Sequence, residues 1–159
     1  MGRARWRGGG FFIPAATKIM LKGRKGSRVT VFRKVSDPIS RLKKPEIVAG
    51  SAKDVPGEPI LGNKNARLQT LLPTDQRFDL AVNIFTYDPG ATLPFVETHI
   101  MEYGLKMLSG QGICRLEESY YPVKAGDVMW MAAYCPQWFV AMGTEKASYI
   151  YCKDVNRLP

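Results

Sequence analysis

A single histidine occurs in this chain of 159 residues, and it stands in the stretch PFVETHIMEYG, residues 94–104. Glu97 lies two residues before His99, and Tyr103 four after it. On an extended strand, residues i and i+2 point to the same side. Glu97 and His99 would then present a carboxylate and an imidazole together, the minimum for jointly holding a divalent cation. Taken alone, these residues fit a metal site, the remains of one, or a half-polar strand carrying an ordinary histidine. The other soft ligands do not cluster. Cys114, Cys135 and Cys152 are widely spaced, with no C-x-x-C pair, so neither a zinc–thiolate site nor a disulfide framework is indicated and a reducing compartment is expected.

Charge points away from a nucleic-acid reading of the whole chain. The net charge is +9, yet residues 1–36 hold ten Lys or Arg and no acidic residue. In the remainder, thirteen basic residues meet fourteen acidic ones. The basicity therefore belongs to MGRARWRGGG and the turn LKGRKGSR, without a zinc-finger spacing, a recognition-helix pattern or interleaved stacking aromatics. No nucleic-acid partner is expected. No run of eighteen apolar residues exists, so no transmembrane helix is expected. FFIPAA is too short for a secretory core, which makes the cytoplasm the expected compartment.

The elements that must position Glu97 and His99 read as strands. RVTVFRKV (28–35), DLAVNIFTY (79–87), GLKMLSGQGICRLE (104–117), YYPVKAGDVMWM (120–131), QWFVAMG (137–143) and ASYIYCKDV (147–155) are rich in β-branched and aromatic residues. Gly, Pro or charged turns separate them at short spacing, the pattern of a sandwich or barrel. Residues 36–65 are Pro-rich with little periodicity and read as a linker or wrapped arm. ARLQTLLP after it suggests a short helix or strand. The expected organisation is a basic N-terminal piece over 1–35, the arm over 36–65, and a compact domain over 66–159. Trp130, Met131, Trp138, Phe139 and Met142 are expected in the core.

Gly90, Glu97, His99, Tyr103 and Gly110 recur at the spacing of the first cupin motif. Gly126 with Gln137 eleven residues later matches the second. VETHIMEYG, YYPVKAGDVMWMAAYCPQW and SYIYCKDVNR further resemble the C-terminal cupin of the (S)-ureidoglycine aminohydrolases, two-cupin enzymes of purine and allantoin breakdown. GGGFFIPAATKI and GSRVTVFRKV resemble the last strands of that family's first cupin. The resemblance implies an all-β cupin, a double-stranded antiparallel barrel with an N-terminal strand and linker arm. It also implies a hydrolase that releases ammonia from (S)-ureidoglycine, leaving (S)-ureidoglycolate. By position, Glu97, His99 and Gln137 match metal ligands, and Tyr103 stands where the family has a second histidine ligand. Tyr149 and Lys153 match substrate-holding residues, and Cys114 replaces a family tyrosine.

A carboxylate, an imidazole and an amide oxygen suit Mn²⁺, with Fe²⁺, Mg²⁺ or Zn²⁺ as alternatives. In that chemistry the metal would orient the substrate, Glu97 would carry a proton to departing ammonia, and Lys153 would pair with a substrate carboxylate. A small ureido acid is the expected partner, and a homo-oligomer the expected assembly. For plant members the resemblance implies the endoplasmic reticulum. Two other readings stay open: a non-catalytic remnant with an impaired site, and a cupin whose Tyr103 and Cys114 serve a different small acid.

Overall fold

The computed structural model describes residues 9–157. Eleven strands run in chain order: β1 (Gly9–Phe12), β2 (Val48–Ser51), β3 (Glu58–Ile60), β4 (Asn63–Thr70), β5 (Leu80–Tyr87), β6 (Tyr103–Ser109), β7 (Gln111–Leu116), β8 (Ser119–Lys124), β9 (Val128–Met131), β10 (Gln137–Met142) and β11 (Ala147–Asp154). One 3-10 turn, Ala52–Asp54, lies between β2 and β3. The strands form a six-stranded sheet in the order β3-β4-β5-β11-β6-β9, a three-stranded sheet β10-β7-β8, and the pair β1-β2. No helix among the described residues is long and apolar enough to cross a membrane.

Alternation along the central strands decides which residues face inward. In β5, Asn83, Phe85 and Tyr87 share a face, and in β11 Ala147, Tyr149 and Tyr151 do. Antiparallel pairing sets Tyr149 opposite Phe85 and Tyr151 opposite Asn83, while β6 adds Tyr103, Leu105 and Met107 from the other side of β11. The small sheet contributes Cys114, Val123, Phe139 and Ala141 to the same core. Aromatic rings fill most of the interior: Phe85 and Phe139 each contact Tyr87 and Tyr149, which also contact each other, at centroid separations of 5.0–5.9 Å. Burying a side chain such as Met107, 1% exposed, contributes about 1.5–3 kcal/mol.

Two of the expected long strands are each divided into two strands that belong to different sheets. Residues 104–117 break at Gly110, whose φ is +68° and where an added Cβ would lie 2.5 Å from the Lys146 carbonyl oxygen. Only glycine fits that close approach in that conformation, so β6 turns directly into β7. Residues 120–131 break at Gly126, with φ of +100°, and the turn is held by the Asp127 amide donating to the Lys124 carbonyl at 3.0 Å. ARLQTLLP resolves as part of β4. Within the segment read as a linker lie β2, β3 and the first residues of β4.

RVTVFRKV forms no strand. Residues 28–35 lie extended beside the main body, tied down by Lys106 Nζ donating to Thr30 Oγ1 at 2.9 Å and by Lys34 pairing with Asp154 at 3.6 Å. Val29, Val31 and Val35 are exposed. β propensity reports how well a side chain fits a pleated, half-buried surface, and here the segment has no neighbouring strand to pair with among the described residues. Among the expected core residues, Met131 and Phe139 are buried, whereas Trp130 is 63% and Met142 44% exposed. Trp130 stands between Met129 and Met131 on β9, so the strand pairing that turns the methionines inward turns the indole out.

Candidate active site

The chain from Gly90 to Glu97 runs antiparallel to β10 and extends the small sheet without being a regular strand. Leu93 donates its amide to the Phe139 carbonyl at 3.1 Å. Four residues later Glu97 and Gln137 exchange both amide–carbonyl bonds, each at 2.8 Å. Only two residues of β10 are covered in that interval, so Pro94 and Phe95 bulge outward as a bend. An antiparallel pair that exchanges both bonds holds its Cβ atoms on one side, about 5 Å apart. The bridge therefore sets the Glu97 carboxylate beside the Gln137 amide, although forty residues separate them in sequence.

His99 sits past the bridge, in a loop rather than on a strand. Its carbonyl accepts the Tyr134 amide at 2.6 Å. Its Nε2 comes within 3.6 Å of Glu97 Oε2, with side chains 23% and 18% exposed. That separation is too long for a direct hydrogen bond, but it brings both donors to one rim. Tyr103 opens β6 between Met131 of β9 and Lys153 of β11. Its ring lies nearly parallel to His99 at 6.3 Å and stacks on Tyr151 at 4.5 Å.

Beneath these residues is a cavity of about 10 Å³, lined on its polar side by Glu97, Gln137, Tyr103, Tyr149 and Cys114. That volume is roughly one water-sized sphere. Leu93, Leu105, Met131, Trp138 and Phe139 complete its lining. Trp138 is locked there by its indole N–H donating to the Leu93 carbonyl at 2.9 Å.

Burial sets the protonation of the phenols. It pushes the Tyr103 hydroxyl well above its ordinary value, the neighbouring tyrosines and the Glu97 carboxylate push the same way, and a hydrogen bond with Tyr149 pulls weakly back. Tyr149 is raised for the same reason, and its hydroxyl lies 3.2 Å from that of Tyr87. Tyr151 is raised to about 12, chiefly by burial. The Cys114 thiol, also buried, is pushed up to about 12. At neutral pH the interior thus presents neutral O–H and S–H groups around one carboxylate.

The fold brings Glu97, His99, Gln137, Tyr103 and Tyr149 together, with Cys114 facing the same cavity. Lys153 shares the inner face of β11 with Tyr149 and Tyr151 and lies opposite Tyr103, but it does not line the cavity. It makes no ion pair among the described residues. No group of three His, Cys, Asp or Glu able to hold a metal ion occurs among the described residues; the donors that converge are a carboxylate, an imidazole and an amide. Tyr87 and Asn83 belong to this interior too, and sequence reasoning passed over both. The alternation Asn83, Phe85, Tyr87 along β5 was the signal for them.

An antiparallel two-sheet barrel with its polar residues gathered under one rim is the architecture of the cupins, and the solved structures agree. A RmlC-like cupin from Shewanella frigidimarina superimposes with a TM-score of 0.56 at 16% identity, covering 66% of this chain and 87% of that one. The chain is a cupin. No family model matches it. Its sequence relatives are more specific. The (S)-ureidoglycine aminohydrolase of Arabidopsis thaliana is 40% identical over 119 residues, covering 72% of this chain and 38% of the relative. A rice protein named "probable (S)-ureidoglycine aminohydrolase" is 35% identical over 153 residues, covering 93% of this chain and 47% of the relative. The E. coli protein Ylba, a solved structure, has a TM-score of 0.66 at 35% identity, with 78% of this chain and 47% of that one covered. The chain is a homologue of the (S)-ureidoglycine aminohydrolase family and spans about half the length of the curated relatives it matches.

Proposed function

We propose that this chain is the metal-binding cupin of a hydrolase that releases ammonia from (S)-ureidoglycine to give (S)-ureidoglycolate, as part of purine and allantoin breakdown. The observation that carries the reading is the Glu97–Gln137 bridge, which sets a carboxylate beside an amide oxygen with the His99 imidazole at the same rim. This donor set of two oxygens and one neutral nitrogen fits a hard to borderline ion such as Mn²⁺. When bound by Glu97, His99 and Gln137, the ion would supply Lewis-acid polarisation of a substrate oxygen. Tyr103 is held as a neutral phenol by its burial, so in this reading it donates a hydrogen bond next to the ligands rather than serving as a phenolate ligand.

The remaining roles follow from position. Lys153, half-buried and without an ion pair among the described residues, pairs with the substrate carboxylate as a point charge. Tyr149, neutral and hydrogen-bonded to Tyr87, orients the substrate through its hydroxyl. Glu97 uses its second carboxylate oxygen to carry a proton to the departing amine, so that ammonia leaves as a neutral molecule. The cavity as it stands holds about one water, less than a ureido acid needs.

That small cavity favours a second reading, a cupin that keeps the fold of the family without its chemistry. Metal analysis of the purified protein, together with ammonia release from freshly prepared ureidoglycine, separates the two. Bound Mn²⁺ and chelator-sensitive ammonia release support the hydrolase. Protein free of metal after exposure to Mn²⁺, and inert toward ureidoglycine, would establish the second.

A further inference from the structure

A groove of about 460 Å³ opens at the β3 edge of the six-stranded sheet. Its size is that of sites which take up a ligand rather than a single solvent molecule. Val55, Pro56, Pro59, Ile60, Leu61 and Leu68 give it an apolar lining, and Glu58 is its one charged lining residue among the described residues. The floor is firm. Ile60 and Leu68 pack against the core, and Gln69 Nε2 donates to the Ala52 and Val55 carbonyls, each at 2.7 Å. The lip has a peculiarity of its own. Ile60 pairs with Asn63 across a two-residue turn in which Leu61 and Gly62 both have positive φ, +47° and +80°. Asn-Gly or Asp-Gly is favoured in such a turn, because a bulky side chain in the left-handed region is strained. Here the first position is a leucine, 75% exposed and lining the groove. The turn itself gives no reason for an apolar side chain there.

A matching feature lies elsewhere in the chain. Ile19, Met20 and Leu21 are 43%, 92% and 61% exposed. They belong to an irregular limb, residues 17–23, that leads into the Arg24–Ser27 turn. Residues 18–23 make no backbone hydrogen bond among the described residues. None of residues 17–35 lines the groove. That stretch holds seven Lys or Arg and no Asp or Glu, so its charge is opposite to that of Glu58. One chain thus carries an exposed apolar segment and an exposed apolar groove of opposite charge, the two halves of a self-complementary contact.

We propose that the occupant of the groove is a second copy of this chain. Met20 and Leu21 of each copy enter the groove of the other, and the exchange is reciprocal. Lys18 and Lys22, which flank the apolar residues, face Glu58 at the groove. Leu61 is kept at the lip because the incoming side chains pack against it. The contact does not depend on the hydrolase reading, since none of these residues lines the cavity beneath Glu97 and Gln137.

Sedimentation of the full purified chain over a wide range of concentration should show a monomer–dimer equilibrium. Met20→Glu alters a side chain 92% exposed in the single chain, so the fold should persist. By symmetry the variant loses the contact twice, and the dissociation constant should rise about 100-fold or more. Leu61→Lys sets a cation in the groove against the basic limb and should weaken the dimer as much; Glu58→Lys takes its place if that variant does not fold. Mixing the limb variant with the groove variant decides the matter. Their heterodimer keeps one intact contact, native limb in native groove, so the mixture should associate at concentrations where each variant alone is monomeric. A native chain that stays monomeric overturns the proposal and leaves the groove to a different partner. A Met20→Glu dimer as tight as the native one, or a mixture no more associated than its components, overturns it too and places any dimer interface on another face.

Discussion

Replacing Tyr103 by histidine turns the reasoning about the metal donors into a measurement. In the native chain the Tyr103 ring stacks on Tyr151 at 4.5 Å, an arrangement worth about 0.5–1.5 kcal/mol. A histidine at a position only 4% exposed forfeits that stacking and leaves unfilled volume, so without metal Tyr103→His should be destabilised by about 2–3 kcal/mol. With Mn²⁺ the sign changes. The new imidazole adds a neutral nitrogen to Glu97, His99 and Gln137, and a ligand held at about 100 times its dissociation constant stabilises by about 2.7 kcal/mol. Imidazole ligates only when neutral, so this gain should be large at pH 8 and nearly absent at pH 5.5, below its ordinary value of about 6.5. Urea unfolding of both proteins, with and without Mn²⁺ at the two pH values, reads all of these quantities. A variant that gains no more from Mn²⁺ than the native chain does would refute the placement of Tyr103 beside the metal donors.

Three further outcomes are expected. Burial raises Tyr87, Tyr103, Tyr149 and Tyr151 in the folded state. Their contribution is complete below the unfolded value of about 10 and is lost as pH rises above it, with Tyr151 alone giving up about 3 kcal/mol by the time pH passes 12. Stability should be flat from pH 7 to 9 and fall steeply beyond 10, with tyrosinate absorbance rising together with unfolding; tyrosinate absorbance for all seven tyrosines appearing while the fold persists would contradict this. Gly110→Ala places a Cβ 2.5 Å from the Lys146 carbonyl oxygen at a φ of +68° and should cost more than about 2 kcal/mol in urea unfolding; a loss below about 0.5 kcal/mol would mean that the β6–β7 turn is not built as described. Cys114, buried and pushed up to about 12, should resist a thiol reagent at pH 8 in the native protein and react fully in denaturant, and fast native labelling of that residue would show the cavity to be open.

Much of this protein is determined locally. Alternation in LAVNIFTY and ASYIYCKD is enough to state that Phe85 and Tyr87 share one face and that Tyr149, Tyr151 and Lys153 share another, because side chains on a strand repeat every two residues. The Glu97–His99 spacing, the Gly126–Gln137 interval and the closing KDVNR carried the resemblance to cupins and to one family among them, and the sequence relatives bear that out. Period-two alternation does not say which face is inside, nor which strand lies next door. Pairing of β9 with β6 turned Trp130 to solvent, and the lack of a neighbouring strand left RVTVFRKV an extended arm despite its composition. The composition ran strands straight across Gly110 and Gly126, and only the folded backbone, with positive φ at both and a close approach at Gly110, makes them turns.

The site divides in the same way. Sequence by itself determined which groups are present near His99, since spacing and residue type are local properties. Only the tertiary structure decided that Gln137 faces Glu97 across a two-bond bridge and that Tyr103 is a neutral phenol stacked on Tyr151. It also decided that the buried Asn83 Oδ1 has no hydrogen-bond partner among the described residues. Each of these depends on contacts between residues distant in the chain, and desolvation, which holds the phenol's proton and makes an unpaired carbonyl costly, exists only after those contacts have excluded water.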